Sequence, residues 1–232
     1  MSMDTLLRVT QHSGGVLYVI AVLLFVSLTV IIERVWFLLR ATRDAHAALV
    51  ELDQYKALNA SALAVWAQRH DGLPTGKVIA TAGRIAGRAD RDTLAASLEE
   101  AVMREAPRID RFLWVLDTAV TLAPLLGLFG TIIGMFDAFQ VLSNPGNAPT
   151  QVTGGVAEAL ISTASGLFVA MLGLVFFNGL HSRVRLVVHQ LDTLKAALVN
   201  RLTSDIPDVH VARDAEAKTP QGVIGSLARR GA

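Results

Sequence analysis

Residues 118–136 of the chain read TAVTLAPLLGLFGTIIGMF, a stretch that contains no ionisable side chain and is bounded by Asp117 and Asp137. An α-helix rises about 1.5 Å per residue, so about 20 apolar residues cross the hydrocarbon core of a bilayer, whereas helices buried in soluble cores are usually shorter. The stretch therefore predicts a transmembrane helix, which we place at residues 114–142.

Two further apolar runs have the same character. Residues 15–39 carry no charge before Glu33 and Arg34, and residues 156–181 contain one charged side chain, Glu158. A cleaved signal peptide would need a basic start, a shorter apolar core and a small-residue cleavage motif, and the first run has none of these. We therefore predict an uncleaved anchor and an all-α membrane protein with three transmembrane helices.

The connector between the second and third runs, residues 143–155, contains the sequence NPGNAP at 144–149. Asn, Pro and Gly are the residues that form tight turns. The last two transmembrane helices are therefore predicted to form a helical hairpin.

The composition excludes several classes of protein. Of the 232 residues, 52% are hydrophobic and 18% charged, with a formal net charge of +1, so no overall basicity indicates binding to nucleic acid. Cysteine is absent, which excludes disulfides, thiolate metal sites and cysteine nucleophiles. These numbers favour a membrane protein over a soluble globular domain.

The distribution of Lys and Arg predicts the orientation. Basic residues are frequent in residues 40–113 and return at Arg183 and Arg185, but the connector at 143–155 has none. Retained basic residues mark the cytoplasmic side of a span. We therefore predict that residues 1–14 and the connector lie outside, and that the loop and the C-terminus lie in the cytoplasm.

The loop at 40–113 is rich in Ala, Leu, Arg and Glu and has apolar residues at helical spacing. We expect it to be mostly helical. The sequence DGLP at 71–74 and Pro107 interrupt the pattern, so two helical segments are predicted.

Residues 182–203 are predicted to form a cytoplasmic helix that continues from the third span. Its apolar residues follow the alternating three- and four-residue steps of a coiled-coil seam, for which we expect self-association. Residues 204–232 have little periodicity and are interpreted as a flexible tail. The seam consists of Val184, Val187, Leu191, Leu194 and Leu198.

Glu158 is the first candidate for a functional site, because a carboxylate within an apolar span is unfavourable unless it faces water, a partner or another subunit. Ser162 and Ser165 follow it at i+4 and i+7, which predicts a polar stripe suited to a wet proton pathway. Under the alternative interpretation Glu158 is solvated near the headgroups and stabilises the start of its helix. The face opposite the stripe is predicted to contain Leu160, Leu167 and Val169.

The remaining charges near the spans are weaker candidates. Asp117 and Asp137 lie near predicted membrane boundaries, where water can reach them. Glu33 and Arg34 are predicted to be interfacial, with the long side chain of Arg34 reaching towards the headgroups.

Small residues recur at helical spacing in the last two spans. Gly127 and Gly134 in the second span, and Gly166 and Gly173 in the third, predict faces where helix backbones pack closely. Threonine hydroxyls can bond to the carbonyl one turn back, so plain helix packing also explains Thr131 and Thr163. The same hydroxyls could instead line a pore, and the residues themselves leave both readings open.

Two segments carry a resemblance to a known family. LAPLLGLFGTIIGMFDAF at 122–139 and GVAEALISTASGL at 155–167 together resemble the paired signature of the MotA/TolQ/ExbB proton-channel family. The form APLLGL is more similar to ExbB than to the SPYIGL form of TolQ, and three spans argue against MotA. The first span and the loop match by layout only.

The resemblance implies a location in a bacterial inner membrane, with residues 1–14 and the connector in the periplasm. It also implies a ring-forming homo-oligomer, a pentamer whose pore encloses transmembrane helices of an ExbD-like single-span partner that carries the essential aspartate. It implies that Glu158 corresponds to the family's membrane glutamate, and Thr131 and Thr163 to its pore-facing threonines. Leu172 stands where the family often has proline, so a kink at that position is in doubt, while Asn178 matches a family asparagine.

The implied function is proton flow that drives movement of the partner and so exerts force on a TonB-like protein, without enzymatic turnover, metal or cofactor. Residues 83–88 lack the context of a phosphate-binding loop, so ATP is not the expected fuel. Two alternatives stay open: a TolQ- or MotA-like motor subunit for envelope constriction or motility, and a non-conducting membrane scaffold.

Overall fold

The computed structural model describes residues 15–55, 58–142 and 149–203, with side chains described outside 141–152. The predicted N-terminal segment, the turn at 143–148 and the C-terminal tail lie outside the described residues. The described ranges contain six α-helices and no strand. They are α1 Val16–Gln54, α2 Ala60–Arg69, α3 Pro74–Ile85, α4 Arg91–Ile109, α5 Leu113–Leu142 and α6 Pro149–Thr203.

Helices α1, α5 and α6 contain the three segments that are long and apolar enough to cross a membrane. Large apolar side chains on these helices face outward, including Phe25 at 72%, Phe129 at 53% and Val175 at 70% exposure. Soluble proteins rarely expose apolar surface on this scale. The prediction of an all-α, three-span membrane protein is therefore confirmed.

The predicted spans differ in how they end. Helix α5 begins within one residue of the predicted second span and ends with it. The first and third spans are the apolar parts of longer helices, since α1 has 39 residues and α6 has 55. At about 1.5 Å per residue, α6 is roughly 80 Å long, well beyond the thickness of a bilayer.

The polar ends of α1 and α6 pack with the three short helices into a second body, which we call the head: residues 38–54 of α1, helices α2 to α4, and residues 180–203 of α6. A continuous hydrophobic core runs through it. Fully buried side chains of the head include Leu38, Leu52, Leu63, Trp66, Ile79, Leu98, Leu191, Leu194 and Leu198.

The seam predicted on residues 182–203 lies inside this core. Its five side chains range from 9% exposed at Val184 to 0% at Leu191, Leu194 and Leu198. They pack among residues of α1, α3 and α4 of the same chain. The prediction that this seam serves self-association is wrong, because the chain's own helices already cover it.

The loop predicted to hold two helical segments forms three helices. The sequence DGLP separates α2 from α3 as expected, with Pro74 in the first turn of α3. Two further breaks occur. Before α2, Asn59 caps the helix by accepting a hydrogen bond from the Ala62 amide at 2.8 Å, and between α3 and α4, Gly87 adopts a φ of 74°. The prediction of two segments is therefore wrong.

Arg34 is buried at the junction of the head and the spans, with only 3% of its surface exposed. Its Nη1 donates to the carbonyl oxygens of Arg108 at 3.3 Å and Ile109 at 3.5 Å, which belong to the last turn of α4. The guanidinium also lies 5.7 Å from the ring of Phe112, a residue with a φ of 66° in the break between α4 and α5. Arg34 thus caps α4 from within the fold, and the prediction that it reaches towards the headgroups is wrong.

We expect Arg34→Lys to lower the free energy of unfolding by about 1–3 kcal/mol, the range for leaving buried hydrogen-bonding groups without their partner. Lysine keeps the charge but has one nitrogen, whereas the guanidinium donates to the two carbonyls from Nη1 and to the Glu33 carboxylate from Nε and Nη2, and lies against a ring. Thermal unfolding of the purified chain in detergent measures the change. Arg43→Lys, at an exposed position of the same helix, is the control, and equal midpoints for the two variants would contradict the capping role.

Candidate functional site

Helices α5 and α6 form an antiparallel hairpin whose contact is made by small residues. A Cβ built on Gly127 would lie 3.0 Å from the backbone of Ser162 and Thr163, and one built on Gly166 would overlap the carbonyl oxygen of Ala123. Without side chains at these positions the two backbones approach closely, which favours dispersion between helices in a medium that supplies no hydrophobic drive. The crossing is therefore built on Gly127 and Gly166.

The contact extends in both directions from this crossing. A Cβ on Gly134 would lie 3.0 Å from that of Ala159, and a Cβ on Gly173 would lie 2.9 Å from the side chain of Val120. All four glycines singled out from the sequence thus lie in the α5–α6 contact. They hold the two helices in the register that positions the polar residues.

Gly130 belongs to the same contact and was missed by the sequence analysis. A Cβ at Gly130 would overlap the hydroxyl of Ser162, which is itself fully buried and has no hydrogen-bond partner among the described residues. The spacing of Gly127, Gly130 and Gly134 by three and four residues marks one helical face and could have identified it. Ser162 therefore lies inside the packed contact, against Gly130.

The two candidate threonines differ in their surroundings. Thr163 donates its hydroxyl hydrogen bond across the crossing to the carbonyl oxygen of Gly127 at 3.1 Å. Thr131 donates to the carbonyl oxygen of Leu128 in its own helix at 2.6 Å. Thr163 thus stabilises the α5–α6 contact, whereas Thr131 satisfies its hydroxyl locally, as a threonine in an apolar helix can.

Glu158 is half-buried near the end of α6 that adjoins the connector, and it makes no hydrogen bond or ion pair with any residue that the structure describes. Asp137 lies at about the same depth, because Gly134 packs on Ala159 and Ala138 packs on Gly155. Asp137 is exposed, however. The two carboxylates differ in burial rather than in depth, which supports the ranking of Glu158 as the stronger candidate.

The face of α6 opposite the polar stripe is only partly as predicted. Leu160 and Leu167 are exposed, at 65% and 47%, but Val169 is buried at 3% in a cluster with Val16 of α1. Val169 follows Glu158 by three helical turns and is displaced from it by only roughly 20° around the helix. The placement of Val169 on the opposite face is therefore wrong, and the stripe side of α6 faces both α1 and α5.

An apolar groove of about 400 Å³ lies between α1 and α6 on this side. Ser165 contributes the one hydroxyl among its lining residues, while Ser162 lies in the α5–α6 contact. The polar stripe is therefore divided between two helix contacts within a single chain. The groove is lined by Leu17, Ile20, Ala21, Leu24, Ile161, Ala164, Ser165, Phe168 and Val169.

The chemistry available in the described spans includes the half-buried carboxylate of Glu158, the exposed carboxylates of Glu33, Asp117 and Asp137, and several hydroxyls. No group of three or more His, Asp or Glu residues that could hold a metal ion is found in the parts of the chain that the structure describes. A carboxylate in a transmembrane helix can bind and release a proton, and hydroxyls can donate hydrogen bonds to water and accept them from it. The arrangement is therefore suited to proton handling.

A family model and a similar protein each match more than half of the chain. The model of the MotA/TolQ/ExbB proton channel family matches residues 71–193. ExbB-like 3 of Synechocystis sp., named as a biopolymer transport protein, is 34% identical over 193 residues, which are 78% of this chain and 89% of that protein.

Two shorter matches fall in the same family. The Tol-Pal system protein TolQ of Haemophilus influenzae is 40% identical over 38% of this chain and 39% of its own length. The biopolymer transport protein ExbB of Xanthomonas campestris is 37% identical over 42% of this chain and 39% of its own length. The family match covers more than half of the chain and includes both helices of the hairpin with Glu158, Thr131 and Thr163, and the chain belongs to the MotA/TolQ/ExbB proton channel family.

Proposed function

We propose that the chain is the channel-forming subunit of an inner-membrane motor driven by the proton-motive force. In this proposal five copies form a ring around transmembrane helices of an ExbD-like single-span subunit, and the motor energises TonB-dependent outer-membrane transport through a TonB-like protein. Membership of the proton channel family and relatives named ExbB support it.

The observation that carries the proposal is the state of Glu158. Its carboxylate lies in a transmembrane helix, half-buried, with no hydrogen-bond or ion-pair partner in the described part of the chain. An ionisable group in a span is unfavourable unless it faces water, a partner or another subunit. A partner helix and water in a ring of subunits would supply the contacts that the described residues do not make with Glu158.

The proposal orients the molecule with residues 1–14 and the α5–α6 connector in the periplasm. The head then lies in the cytoplasm, in accordance with the basic residues of 40–113. Glu158 lies near the periplasmic end of its span in this orientation. It would be one of the first proton-binding sites on a pathway that begins at the periplasm.

The proposed pathway combines Glu158 with Thr131, Thr163, Ser162 and Ser165. In the single chain Thr163 and Ser162 lie in the α5–α6 contact, so their part in proton transfer requires water or the partner to enter beside them. One elementary charge moving through 100 mV releases roughly 2.3 kcal/mol. That increment is comparable to a few hydrogen bonds and can bias a conformational cycle.

The test is reconstitution of the purified chain into liposomes with and without a co-expressed single-span protein that bears an aspartate in its span. An internal pH-sensitive dye reports proton entry under an imposed gradient. We expect co-purification as one complex and a proton flux that requires the partner. A complex that forms but conducts no more than empty liposomes would favour the scaffold alternative and contradict the proposal.

The match to TolQ supports a second candidate, a motor subunit for envelope constriction. Its site and its dependence on protons would be the same, and only the partner would differ. The two candidates can be distinguished in cells that express an ExbD-like subunit and the single-span subunit of a TolQ-type motor at equal levels. The single-span protein that co-purifies with the chain identifies the motor.

A further inference from the structure

His70 is buried in the head, far along the chain from the transmembrane hairpin. It follows the last residue of α2, and only 6% of its surface is exposed. Its Nδ1 lies 2.8 Å from Oδ1 of Asp44, and its Nε2 lies 3.5 Å from Oε2 of Glu51. Both carboxylates belong to α1, so the imidazole joins the α2–α3 turn to the extension of the first span.

Both ring nitrogens of His70 therefore face carboxylate oxygens. A neutral imidazole has one N–H donor and one lone pair, so in either tautomer it would direct a lone pair at a carboxylate. An imidazolium donates from Nδ1 to Asp44 and presents positive charge to both carboxylates, with Nε2 3.5 Å from Glu51 and without a hydrogen bond among the described residues. The geometry fits the protonated ring better than either neutral form.

The charges around His70 lead to the same conclusion. Helix α1 contributes Asp44 and Glu51, and α2 contributes Arg69, whose Nη1 donates to Glu51 at 2.6 Å. Glu51 also accepts from the indole Nε1 of Trp66 at 3.0 Å. Two carboxylates and one guanidinium leave a negative charge, which a protonated His70 neutralises.

Charged residues of the other adjoining elements do not supply that missing charge. Asp71 in the turn and Lys77 of α3 are exposed. On α4, Arg108 donates to the carbonyl oxygen of Gly72 at 3.0 Å and lies 3.5 Å from Glu105. A proton on His70 would thus balance the charge of this cluster, in which Asp44 and Glu51 are partly buried and Arg69 is exposed.

We propose that His70 is a proton-binding site that acts as a latch, holding the α2–α3 pair on the extension of α1 when protonated and loosening it when deprotonated. The Trp66 ring lies edge-on to His70 with centroids 6.1 Å apart, and the backbone of His70 closes against Gly76 of α3. A change in the imidazole is therefore transmitted to both short helices. Helix α1 runs unbroken from the latch into the first span, so the latch connects proton concentration around the head to a helix of the membrane domain.

The direction of the pH dependence follows from the cluster. The hydrogen bond to Asp44 raises the pKa of His70 above its ordinary value of 6.5, against the opposing effect of burial, and Glu51 adds to the rise. A group with a raised pKa in the folded state stabilises the fold fully below its unfolded pKa, and the stabilisation is lost as pH rises through the folded pKa. Acidification therefore closes the latch and alkalinisation opens it.

Histidine NMR on the full-length purified chain tests the binding site directly, across about pH 5 to 9, which brackets histidine titration. We expect His70 to titrate above the ordinary histidine value of 6.5. Asp44→Asn keeps a hydrogen-bond acceptor without the charge and should lower the titration midpoint of His70. A His70 midpoint at or below 6.5, or one unchanged by Asp44→Asn, would overturn the proposal.

Hydrogen–deuterium exchange tests the latch itself. After correction for intrinsic rates, we expect amides of residues 60–85 to exchange roughly tenfold faster above the His70 midpoint than below it, the factor expected for losing a hydrogen bond to a charged group. His70→Gln should remove this pH dependence of exchange. The control His46→Gln, at an exposed position of α1 two residues beyond Asp44, should retain it. Equal protection of these residues on both sides of the midpoint, or a pH dependence that persists in His70→Gln, would refute the latch. Because neither readout involves proton flux, failure of the latch would leave the proposed motor function unaffected.

Discussion

Glu158→Gln is expected to abolish the partner-dependent proton flux of the reconstituted complex while leaving the complex assembled. The substitution keeps the size and hydrogen-bonding capacity of the side chain but removes the group that can bind and release a proton. Glu158 makes no hydrogen bond or ion pair within the described residues, so its replacement breaks no described contact. The expected loss is therefore functional rather than structural.

Internal pH in liposomes measures the flux, and size-exclusion chromatography measures the assembly. Asp117→Asn is the matched control, because Asp117 is an exposed carboxylate at the opposite end of the hairpin. Flux near that of the unmodified complex in Glu158→Gln would exclude Glu158 from the pathway. Loss of the complex itself would assign the residue to assembly instead.

The spans could be predicted from the sequence because apolar length decides them. Helix α5 begins one residue before the predicted start, since the apolar run itself sets its bounds. The predictions for the head were less accurate, because packing between distant segments decides its structure. Periodicity identifies the apolar face of residues 182–203, but it contains no information on what covers that face, and the chain's own α1 and α4 do so.

Arg34 illustrates a second limit. A basic residue at the end of an apolar run is usually interfacial, and nothing local distinguishes it from one that reaches into the fold. Its partners, the carbonyls of Arg108 and Ile109, are more than 70 residues away in the sequence. His70 is similar, because its two carboxylates lie on a different helix.

Residue type and helical spacing were sufficient to predict part of the candidate site. Glu158 is conspicuous in any apolar run, and the glycine spacing marks the α5–α6 contact. Val169 was nevertheless assigned to the opposite face, although 11 residues at about 100° each put it roughly 20° from Glu158, on the side where the structure has it buried. The separation of Thr163, bonded across the crossing, from Thr131, bonded within its own helix, depends on the relative rotation of two helices and needs the structure.

The second large effect is expected at the crossing itself, where Gly166→Leu should prevent the α5–α6 hairpin from packing. Even a single Cβ at Gly166 would overlap the carbonyl oxygen of Ala123 and approach the Cα of Gly127 to 3.1 Å. Those are backbone atoms, so the overlap can be relieved only by moving one helix away from the other. Separation of the helices would also lengthen the hydrogen bond from Thr163 to Gly127 and expose the buried Ser162.

Gly166→Ala should act in the same direction with a smaller effect, about 1–3 kcal/mol for forcing an extra methyl group into a packed contact. Gly179 is the matched control, because it lies on the same helix and a Cβ there would meet no atom within 4 Å. Replacing glycine by alanine within a helix is otherwise stabilising by roughly 0.5–1 kcal/mol, so Gly179→Ala should unfold at the same temperature as the unmodified chain or higher. Thermal unfolding in detergent, followed by circular dichroism, compares the two alanine variants, and the yield of monodisperse protein reports on Gly166→Leu. Because both alanine variants gain the same helix propensity, a lower midpoint for Gly166→Ala alone isolates the backbone approach at the crossing, whereas equal midpoints would show that the two helices tolerate separation.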